Sequence, residues 1–519
     1  MKGESTFLLY DGAMKRSFLA ALWERLGGGS ETVVPGPRER LRLSGKALRI
    51  PHGSASFEIE MGRQRLQIHP DLALDSRFQK TPPDFLLFDP QRYLPGPGDF
   101  LRLAPGQTLA ISHSAEDQRQ LFSYPRDAFR RHLQLRHAGD ALVFRDPISE
   151  LGTYLSTIAG ENAAQCLAVR RRQALERVVE LFGGVLAPLA AGEALAVLEQ
   201  VNHLLRDAPH RPKDTDGNAG GLVELPEGLT LVILGDLHAQ VDNLLKILSE
   251  NGLMEGLERG DAALLLLGDA VHSETAGRLE DMDSSVLIMD LILKLKARFP
   301  SRVFFLLGNH DSFSTEVMKH GVPQGLLWRK RLRALRGEEY VEQMELFYRL
   351  SPLVAIAESF VACHAGPPRA RVSRQNLVDV RRFPSLVHEL TWTRAWTPAH
   401  PVGYRPTDVH RFRKSLGLAK EVPFIVAHHP VSEDQTVWLN ARRFRNHHVV
   451  YSARPDTIGS MTRIDGEMMS QVYPAEPLVG WINEQAGARR QGKATTAVDQ
   501  PASRGSRMRR GRPSNSCRT

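Results

Sequence analysis

Apolar and polar residues alternate along most of residues 41–162, which is the pattern of strands that bury one face. Residues 41–50 and 55–69 alternate in this way around the turn residues Gly45 and Gly62. Strands of this length at this spacing are typical of a sandwich of two sheets. We therefore predict an all-β domain over residues 41–162, preceded by an N-terminal segment of residues 1–40.

The hydrophobic period changes to that of helices over residues 163–209. Apolar residues recur there every three or four positions, and Gly183, Gly184 and Pro188 separate two predicted helices. We interpret residues 163–209 as a helical connector. The polar, glycine-containing residues 210–224 that follow have the composition of a linker.

Residues 225–478 alternate apolar strands with helical stretches, which predicts an α/β layered domain. The remaining residues, 479–519, are rich in Gly, Ser and Arg, so we expect a disordered tail. From Ala486 onward, nine Lys and Arg side chains against one Asp account for the whole net charge of +8. The rest of the chain is neutral, so nucleic acid is an unexpected partner except through this basic tail.

Composition is that of an ordinary globular protein. Hydrophobic residues make up 42% and charged residues 24% of the 519 residues. No apolar run approaches the roughly 20 residues needed to cross a bilayer, and the first residues do not have the pattern of a signal peptide. The three cysteines are widely scattered, which favours a reducing compartment. We expect a cytoplasmic protein that does not associate with membranes.

Two short motifs, Arg130-Arg-His132 and Gly152-Thr153, lie on either side of a predicted hairpin in the sandwich, and this part of the chain resembles the second half of a forkhead-associated (FHA) domain. That family has a Ser-Arg-x-His motif and an Asn-Gly-Thr motif around a hairpin. The residues that match here are Arg130, His132, Gly152 and Thr153. The resemblance implies an FHA-like β-sandwich over residues 41–162.

Three positions of that pattern are changed. Phe129 replaces the motif serine, Leu151 replaces the asparagine, and Ser112-His113 stands where the family has Gly-Arg. Phosphate recognition depends on charge-assisted donors, so the resemblance implies the fold and contact with a protein partner rather than phosphothreonine binding. A generic sandwich used for packing or partner contact is the alternative interpretation.

Five apolar runs within residues 225–478 end in residues that ligate metals. In chain order the residues after these runs are Asp236 and His238, Asp269, Asn309 with His310 and Asp311, His364, and His428. Open α/β sheets build their sites at the carboxyl ends of strands. A single histidine after a strand is more often structural, but five such junctions in succession are hard to obtain by packing alone.

The candidate ligands combine oxygen and nitrogen donors. Two aspartates, one asparagine and three histidines suit Mn²⁺, Fe or Zn²⁺, whereas Mg²⁺ and Ca²⁺ favour oxygen alone. Two cations about 3.5–4 Å apart need a bridging carboxylate, which one aspartate can supply. We therefore predict two divalent metal ions, with Mn²⁺ as the first choice and Fe or Zn²⁺ as alternatives.

The motifs GDLH, GDAV, GNHD, CHAG and AHH, in this order, resemble the signature of the calcineurin-like metallophosphoesterase superfamily. Residues 390–392 and 449–464 are similar to later segments of its phosphoprotein (Ser/Thr) phosphatase branch. The resemblance implies a β-sandwich flanked by helices, in α/β/β/α layers, over residues 225–478.

The resemblance also assigns roles by position. One metal would be bound by Asp236 and His238, the second by Asn309, His364 and His428, with Asp269 as the bridge. The implied reaction is attack on phosphorus by a hydroxide that bridges the metals, after which His310 protonates the leaving oxygen. The implied substrate is a phosphorylated protein or a small phosphoester.

The second motif departs from the phosphatase pattern Gly-Asp-x-Val-Asp-Arg-Gly. His272 stands where an aspartate orients the general acid, and Ser273 stands where an arginine binds phosphate. Glu274, which follows, would repel a dianionic phosphomonoester. Arg394 and Arg405 are the candidate replacements for the missing guanidinium, and His272 is a third candidate substrate contact.

Two other functions stay open at this point. Symmetrical diadenosine tetraphosphate hydrolases have the same motifs, including GNHD, but they keep the arginine that this chain lacks. A regulatory or binding protein of phosphatase fold with weak catalysis is the second alternative, because both His272 and Ser273 depart from the pattern.

Overall fold

The computed structural model describes residues 31–34, 40–51, 55–61, 64–90, 100–111, 133–146, 152–158, 163–433, 435–464 and 466–487. The chain forms two compact units, one of residues 1–93 with 99–169 and one of residues 94–98 with 170–519. Most of the predicted N-terminal segment and basic tail lie outside the described residues.

The first unit consists of two mainly antiparallel sheets. Its strands are Thr32–Val33 (β1), Leu41–Arg42 (β2), Leu48–Pro51 (β3), Phe57–Met61 (β4), Gln64–Pro70 (β5), Phe85–Phe88 (β6), Phe100–Leu103 (β7), Thr108–Ile111 (β8), Leu133–His137 (β9), Ala141–Arg145 (β10) and Thr153–Thr157 (β11). The strand orders are β1-β3-β10-β9-β8 and β2-β11-β4-β5-β6-β7.

One apolar core lies between these two sheets. Phe57 and Ile59 of β4 pack in it with Leu135 of β9 and Phe144 of β10, and all four are fully buried. The alternating pattern of the sequence is therefore the alternation of core-facing and outward-facing residues, and the predicted all-β unit is confirmed. The residues on which the FHA resemblance depends lie partly outside the described residues, namely Ser112, His113, Phe129, Arg130, His132 and Leu151.

The second unit alternates strands and helices. Its strands are Leu222–Glu224 (β12), Thr230–Leu234 (β13), Ala262–Leu266 (β14), Val303–Phe305 (β15), Val354–Ala357 (β16), Phe360–Cys363 (β17), Phe424–Val426 (β18), Val437–Trp438 (β19), His447–Val450 (β20), Thr457–Ile464 (β21) and Glu467–Pro474 (β22). Its helices, with the first beginning just before the unit's boundary, are Ala163–Phe182 (α1), Ala191–Arg206 (α2), Val241–Ser249 (α3), Leu253–Arg259 (α4), Asp283–Arg298 (α5), Gln324–Arg336 (α6), Glu338–Leu350 (α7), Arg374–Val378 (α8), Pro384–Trp392 (α9), Pro406–Ser415 (α10) and 478–487 (α11). Short 3-10 turns occur at Ser76–Phe78 in the first unit and at Val380–Arg382 and Ala441–Arg443 in the second.

Two sheets form the centre of this unit. The six-stranded sheet has the order β12-β16-β17-β18-β20-β19, and the five-stranded sheet has the order β15-β14-β13-β21-β22. Ile233 and Leu265 of the second sheet pack against Ala362 and Ile425 of the first. Helices α9 and α10 cover the outer face of the six-stranded sheet, and α4 and α5 contact strands of the other. The predicted α/β fold of paired sheets with flanking helices is confirmed.

From residue 170 onward, the residues predicted as a connector and a linker are packed parts of this unit. From α1, Arg171 donates to Glu476 (2.8 Å) and pairs with Glu250 (3.0 Å), which also pairs with Lys246 (2.7 Å). Arg171, Lys246 and Glu250 are buried. The structure differs from the predicted linker at residues 210–224, because β12 is paired with β16 there. None of the described helices is long and apolar enough to cross a membrane.

A second buried ion pair fixes the helices to one another. Arg336 of α6 makes a two-pronged contact with Asp290 of α5, with 2.8 Å between Nη1 and Oδ1. Asp290 also accepts a hydrogen bond from the backbone of Leu189, between α1 and α2, and Arg336 donates to the hydroxyl of Tyr340. The pair therefore joins three helices, α5, α6 and α7, and the connection between α1 and α2 through buried side chains.

We expect Arg336→Leu to lower the free energy of unfolding by about 3 kcal/mol or more, because Asp290 would keep a buried charge without its partner. Urea denaturation followed by circular dichroism measures this change. Arg333→Leu, on the exposed face of the same helix where Arg333 pairs with Glu338, is the matched control and should change stability little. Equal losses in the two variants would contradict a special role of the buried pair.

Candidate metal centre

The predicted ligands follow strands that end at one edge of the paired sheets. The strands that precede these ligands are β13, β14 and β15 of the five-stranded sheet and β17 and β18 of the six-stranded sheet. At Gly235, a Cβ atom would lie 2.0 Å from the carbonyl oxygen of Val450, so glycine is needed for the backbones to approach. The backbone of Asp236 then bonds to Ser452, with 3.0 Å between Ser452 N and Asp236 O. This close approach places the loops of both sheets around one point.

Two groups of donor atoms meet at this point. In the first group, the donor atoms lie within 4.8 Å of one another and belong to Asp236, His238 and Asp269. The second group meets the same distance limit and consists of Asp269, His364 and His428. Asp269 belongs to both groups. Four of these residues are fully buried or nearly so, and His428 is half-buried. The arrangement is that of two adjacent cation sites with one shared carboxylate.

Around His364, the facing atoms are a backbone carbonyl oxygen, an amide oxygen, a carboxylate oxygen and a ring nitrogen. Its Nδ1 lies 2.9 Å from the carbonyl oxygen of Leu267, a contact that places a proton on Nδ1 and a lone pair on Nε2. Nε2 lies 3.0 Å from Oδ1 of Asn309, 3.3 Å from Oδ2 of Asp269 and 3.3 Å from Nδ1 of His428. Oxygen and nitrogen atoms that converge in this way fit a divalent cation, so Asn309 joins the second group.

The electrostatics of the cluster also favour a cation. Burial opposes protonation of His238, but the carboxylates of Glu274 and Asp236 raise its pKa to about 10. Burial likewise opposes protonation of His364, but Asp269 raises its pKa to about 9. Burial would raise the pKa of Asp269, yet the nearby histidines hold it well below its usual range. The site therefore attracts positive charge, which divalent ions supply.

Several site residues adopt left-handed backbone conformations that side chains other than glycine rarely adopt. The φ angles are 41° for His238, 51° for Asp269, 69° for His272 and 62° for His428. Each such residue costs about 1–3 kcal/mol and persists only where surrounding contacts impose it. These conformations indicate that the fold holds the loops in a geometry needed for the site.

The carboxylate of Asp311 supplies much of that restraint. It accepts hydrogen bonds from the backbone N–H groups of Asp269 (2.7 Å), Ala270 (3.1 Å) and Gly308 (3.0 Å). Burial, together with the charge of Asp269, raises the pKa of Asp311 to about 7. A Cβ atom on Gly308 would lie 2.2 Å from Oδ1 of Asp269. Sequence patterns identify Asp311 as a carboxylate near the site but do not show that it binds backbone rather than metal.

His310, the predicted general acid, lies beside the shared carboxylate. Its backbone N–H donates to Oδ1 of Asp269 (2.8 Å), and its Nδ1 lies 3.3 Å from Nδ1 of His272. The side chain of His272 is fully buried and contacts the ring of Trp328 edge-on. His272 is therefore placed to support His310, which differs from the predicted contact with substrate.

The two arginines predicted as substrate contacts lie in different surroundings. Arg394 is half-buried, and its Nη1 lies 3.4 Å from Nε2 of His400. Burial is the main cause that lowers the pKa of His428, and the positive charge of Arg394 lowers it further. Arg405 is exposed and stacks on Trp396 at 5.1 Å. Arg394 is thus near the second donor group, whereas the contacts described for Arg405 are not with predicted ligands.

Three polar side chains beside His238 form a group that the sequence does not reveal. Oε1 of Glu274 lies 3.5 Å from Nε2 of His238, and its other oxygen accepts a hydrogen bond from the hydroxyl of Tyr451 (2.9 Å). Lys319 forms an ion pair with Glu274. Lys319 lies in an irregular loop between β15 and α6, so no periodicity or motif indicates that it reaches the site.

The fold and the two donor groups define a metallophosphoesterase domain. Residues 229–452 match the family model described as calcineurin-like phosphoesterase. This part of the chain is a calcineurin-like phosphoesterase domain, as the five motifs predict.

Known proteins similar to this chain include phosphatases. A serine/threonine-protein phosphatase of Caenorhabditis elegans is 28% identical over 213 residues, which are 39% of this chain and 43% of that protein. The chain thus spans less than half the length of this relative. A protein serine/threonine phosphatase structure from Saccharomyces cerevisiae, with similarity to human phosphatase PP5, has 15% identity and a TM-score of 0.43 over 56% of this chain and 91% of its own. A cold-active protein-tyrosine phosphatase of a Shewanella species has 11% identity and a TM-score of 0.33 over 49% and 82%.

We expect the purified protein to bind two divalent ions per chain, and Asp269→Asn to lose most of both, since Asp269 belongs to both donor groups. Asp236→Asn should weaken one site more than the other. Elemental analysis after dialysis against Mn²⁺ measures the ratio. Asp283→Asn, at an exposed position on α5, is the control, and full metal content in Asp269→Asn would contradict the shared ligand.

Proposed function

We propose that this protein is a metal-dependent phosphoesterase that hydrolyses phosphomonoesters, with phosphorylated Ser/Thr proteins as its preferred substrates. The observation that carries the proposal is the pair of donor groups that share Asp269, with His310 bonded to the same carboxylate. Two-metal sites of this kind clamp the attacking and leaving oxygens of a phosphoryl group. The serine/threonine phosphatase relative supports the choice of protein substrates.

The residues of the site would divide the chemistry among them. Bound divalent cations lower the pKa of water and offset the charge of the phosphoryl oxygens. These cations would be held by six side chains, those of Asp236, His238, Asp269, Asn309, His364 and His428. Because Nδ1 of His310 faces His272, Nε2 is the nitrogen left to give a proton to the leaving oxygen.

The proposal predicts that the Mn²⁺-loaded protein hydrolyses p-nitrophenyl phosphate and phosphoserine peptides. Asp236→Asn and Asp269→Asn should each reduce hydrolysis to background, because each removes a carboxylate from a donor group. Initial rates at saturating Mn²⁺, with Asp283→Asn as the control, measure this. Full activity in both ligand variants would refute the assignment.

A substrate panel separates the remaining alternatives. Faster hydrolysis of diadenosine tetraphosphate than of phosphopeptides would identify a dinucleotide hydrolase. Stoichiometric metal with no turnover on any phosphoester would identify a binding protein of phosphatase fold. The panel also tests Mn²⁺ against Fe and Zn²⁺, since the donor set is compatible with all three.

General-acid catalysis by His310 has a distinct signature. His310→Ala should lower kcat by about 10²–10⁴-fold on a substrate with a poor leaving group, such as phosphoserine. The loss should be much smaller on p-nitrophenyl phosphate, whose leaving group needs no proton. His272→Ala should show the same selectivity with a loss of about 10–100-fold, as expected for a residue that orients another. His203→Ala, at an exposed site on α2, serves as control, and equal losses on both substrates would argue against this role of His310.

For the N-terminal unit we propose an FHA-like fold that contacts a protein partner. The support is the sandwich of five and six strands together with the matching Gly152 and Thr153. Gly152 has a φ of 70°, and Thr153 is fully buried, so the two described matching residues serve the fold. A cytoplasmic location stays a prediction.

A further inference from the structure

The second motif lacks the arginine side chain that the resemblance places beside the phosphate of the substrate. Ser273 carries no charge, it is buried, and its backbone oxygen accepts a hydrogen bond from Nε2 of Gln324 (3.0 Å). Glu274 adds a carboxylate 3.5 Å from His238, next to those of Asp236 and Asp269. A phosphate dianion that approaches this side would meet negative charge unless a positive group is present.

Lys319 brings positive charge to this position. Its Nζ pairs with Oε1 of Glu274, the same oxygen that faces Nε2 of His238. The side chain is about one-third exposed, so the ammonium can be reached from solvent. Tyr451 holds the other oxygen of Glu274 through a hydrogen bond of 2.9 Å, which fixes the carboxylate and with it the ammonium.

The loop that carries Lys319 is held by backbone and side-chain hydrogen bonds. Lys319 and Val322 exchange two backbone hydrogen bonds of 3.1 and 2.9 Å, and His320 and Gly321 between them have φ angles of 47° and 82°. These values describe a tight two-residue turn with both central residues left-handed. Gln324, fully buried, ties the end of the loop to the second-motif loop. The backbone that carries Lys319 is therefore held beside the second-motif loop.

We propose that Lys319 binds the phosphoryl group of the substrate and takes over the role of the positive residue that Ser273 lacks. Glu274 keeps the ammonium next to His238 before substrate arrives, and a phosphoryl oxygen becomes its partner when substrate binds. A lysine gives a point charge rather than a two-pronged clamp, so it suits phosphomonoesters of varied orientation. The proposal deepens the proposed function and rests on it.

The test uses the full-length protein loaded with Mn²⁺ and two probes, p-nitrophenyl phosphate as substrate and inorganic phosphate as product. Lys319→Ala should raise KM and the inhibition constant of inorganic phosphate by about 10- to 100-fold, the value of one hydrogen bond to a charged group. Lys319→Arg should keep both constants near those of the unchanged protein. Lys330→Ala, at an exposed position on α6, is the matched control.

Two further measurements separate phosphate binding from a merely structural role. Metal content should be unchanged in Lys319→Ala, and the double variant Ser273→Arg with Lys319→Ala should recover part of the lost phosphate affinity. Unchanged KM and phosphate inhibition in Lys319→Ala, or loss of its metal, would overturn the proposal while the phosphoesterase function stands. If the unchanged protein hydrolyses no phosphoester, the proposed function fails, and calorimetric titration with inorganic phosphate then decides the role of Lys319 by itself.

Discussion

The whole site depends on how the carboxylate of Asp311 restrains the loop around Asp269. Three backbone N–H groups donate to this one buried side chain, and they come from the loops after β14 and β15. Because Asp269 belongs to both donor groups, a small change of its backbone would alter the geometry of both groups at once. A carboxylate that accepts hydrogen bonds from three backbone groups thus restrains the residue that the two donor groups share.

The left-handed conformations of His238, Asp269 and His428 have the same origin. Each begins a loop directly after a buried strand, where the chain must turn sharply to aim its side chain at a common point. The backbone strain is local, but the restraint comes from the paired sheets, whose core is closely packed. Stability of the sandwich and geometry of the site are therefore coupled.

The sequence predicts the α/β fold and the convergence of the ligands because both follow from local patterns. An apolar run that ends in Asp or His marks a strand end, and parallel strand ends meet at one edge. The contacts of Lys319 and Glu274 are not predictable in this way, since they depend on the path of irregular loops. The burial of charged residues on helices is not predictable from the sequence either. Arg171 and Arg336 occur among polar residues, as solvent-facing side chains do. Their burial follows from their partners in the folded chain, Glu476 and Asp290.

Arg171 has a consequence for how this protein can be divided. Its guanidinium lies in the interior of the α/β unit with Glu250 and Glu476, and Arg211 is buried against the backbone of Gly220. The glycine-containing residues before β12 therefore have the composition of a linker, but they are a packed part of the α/β unit. A modular exchange, by recombination or by protein engineering, should therefore keep residues 170–224 together with the phosphoesterase domain. Helices α1 and α2 would then be transferred together with the phosphoesterase domain as one unit.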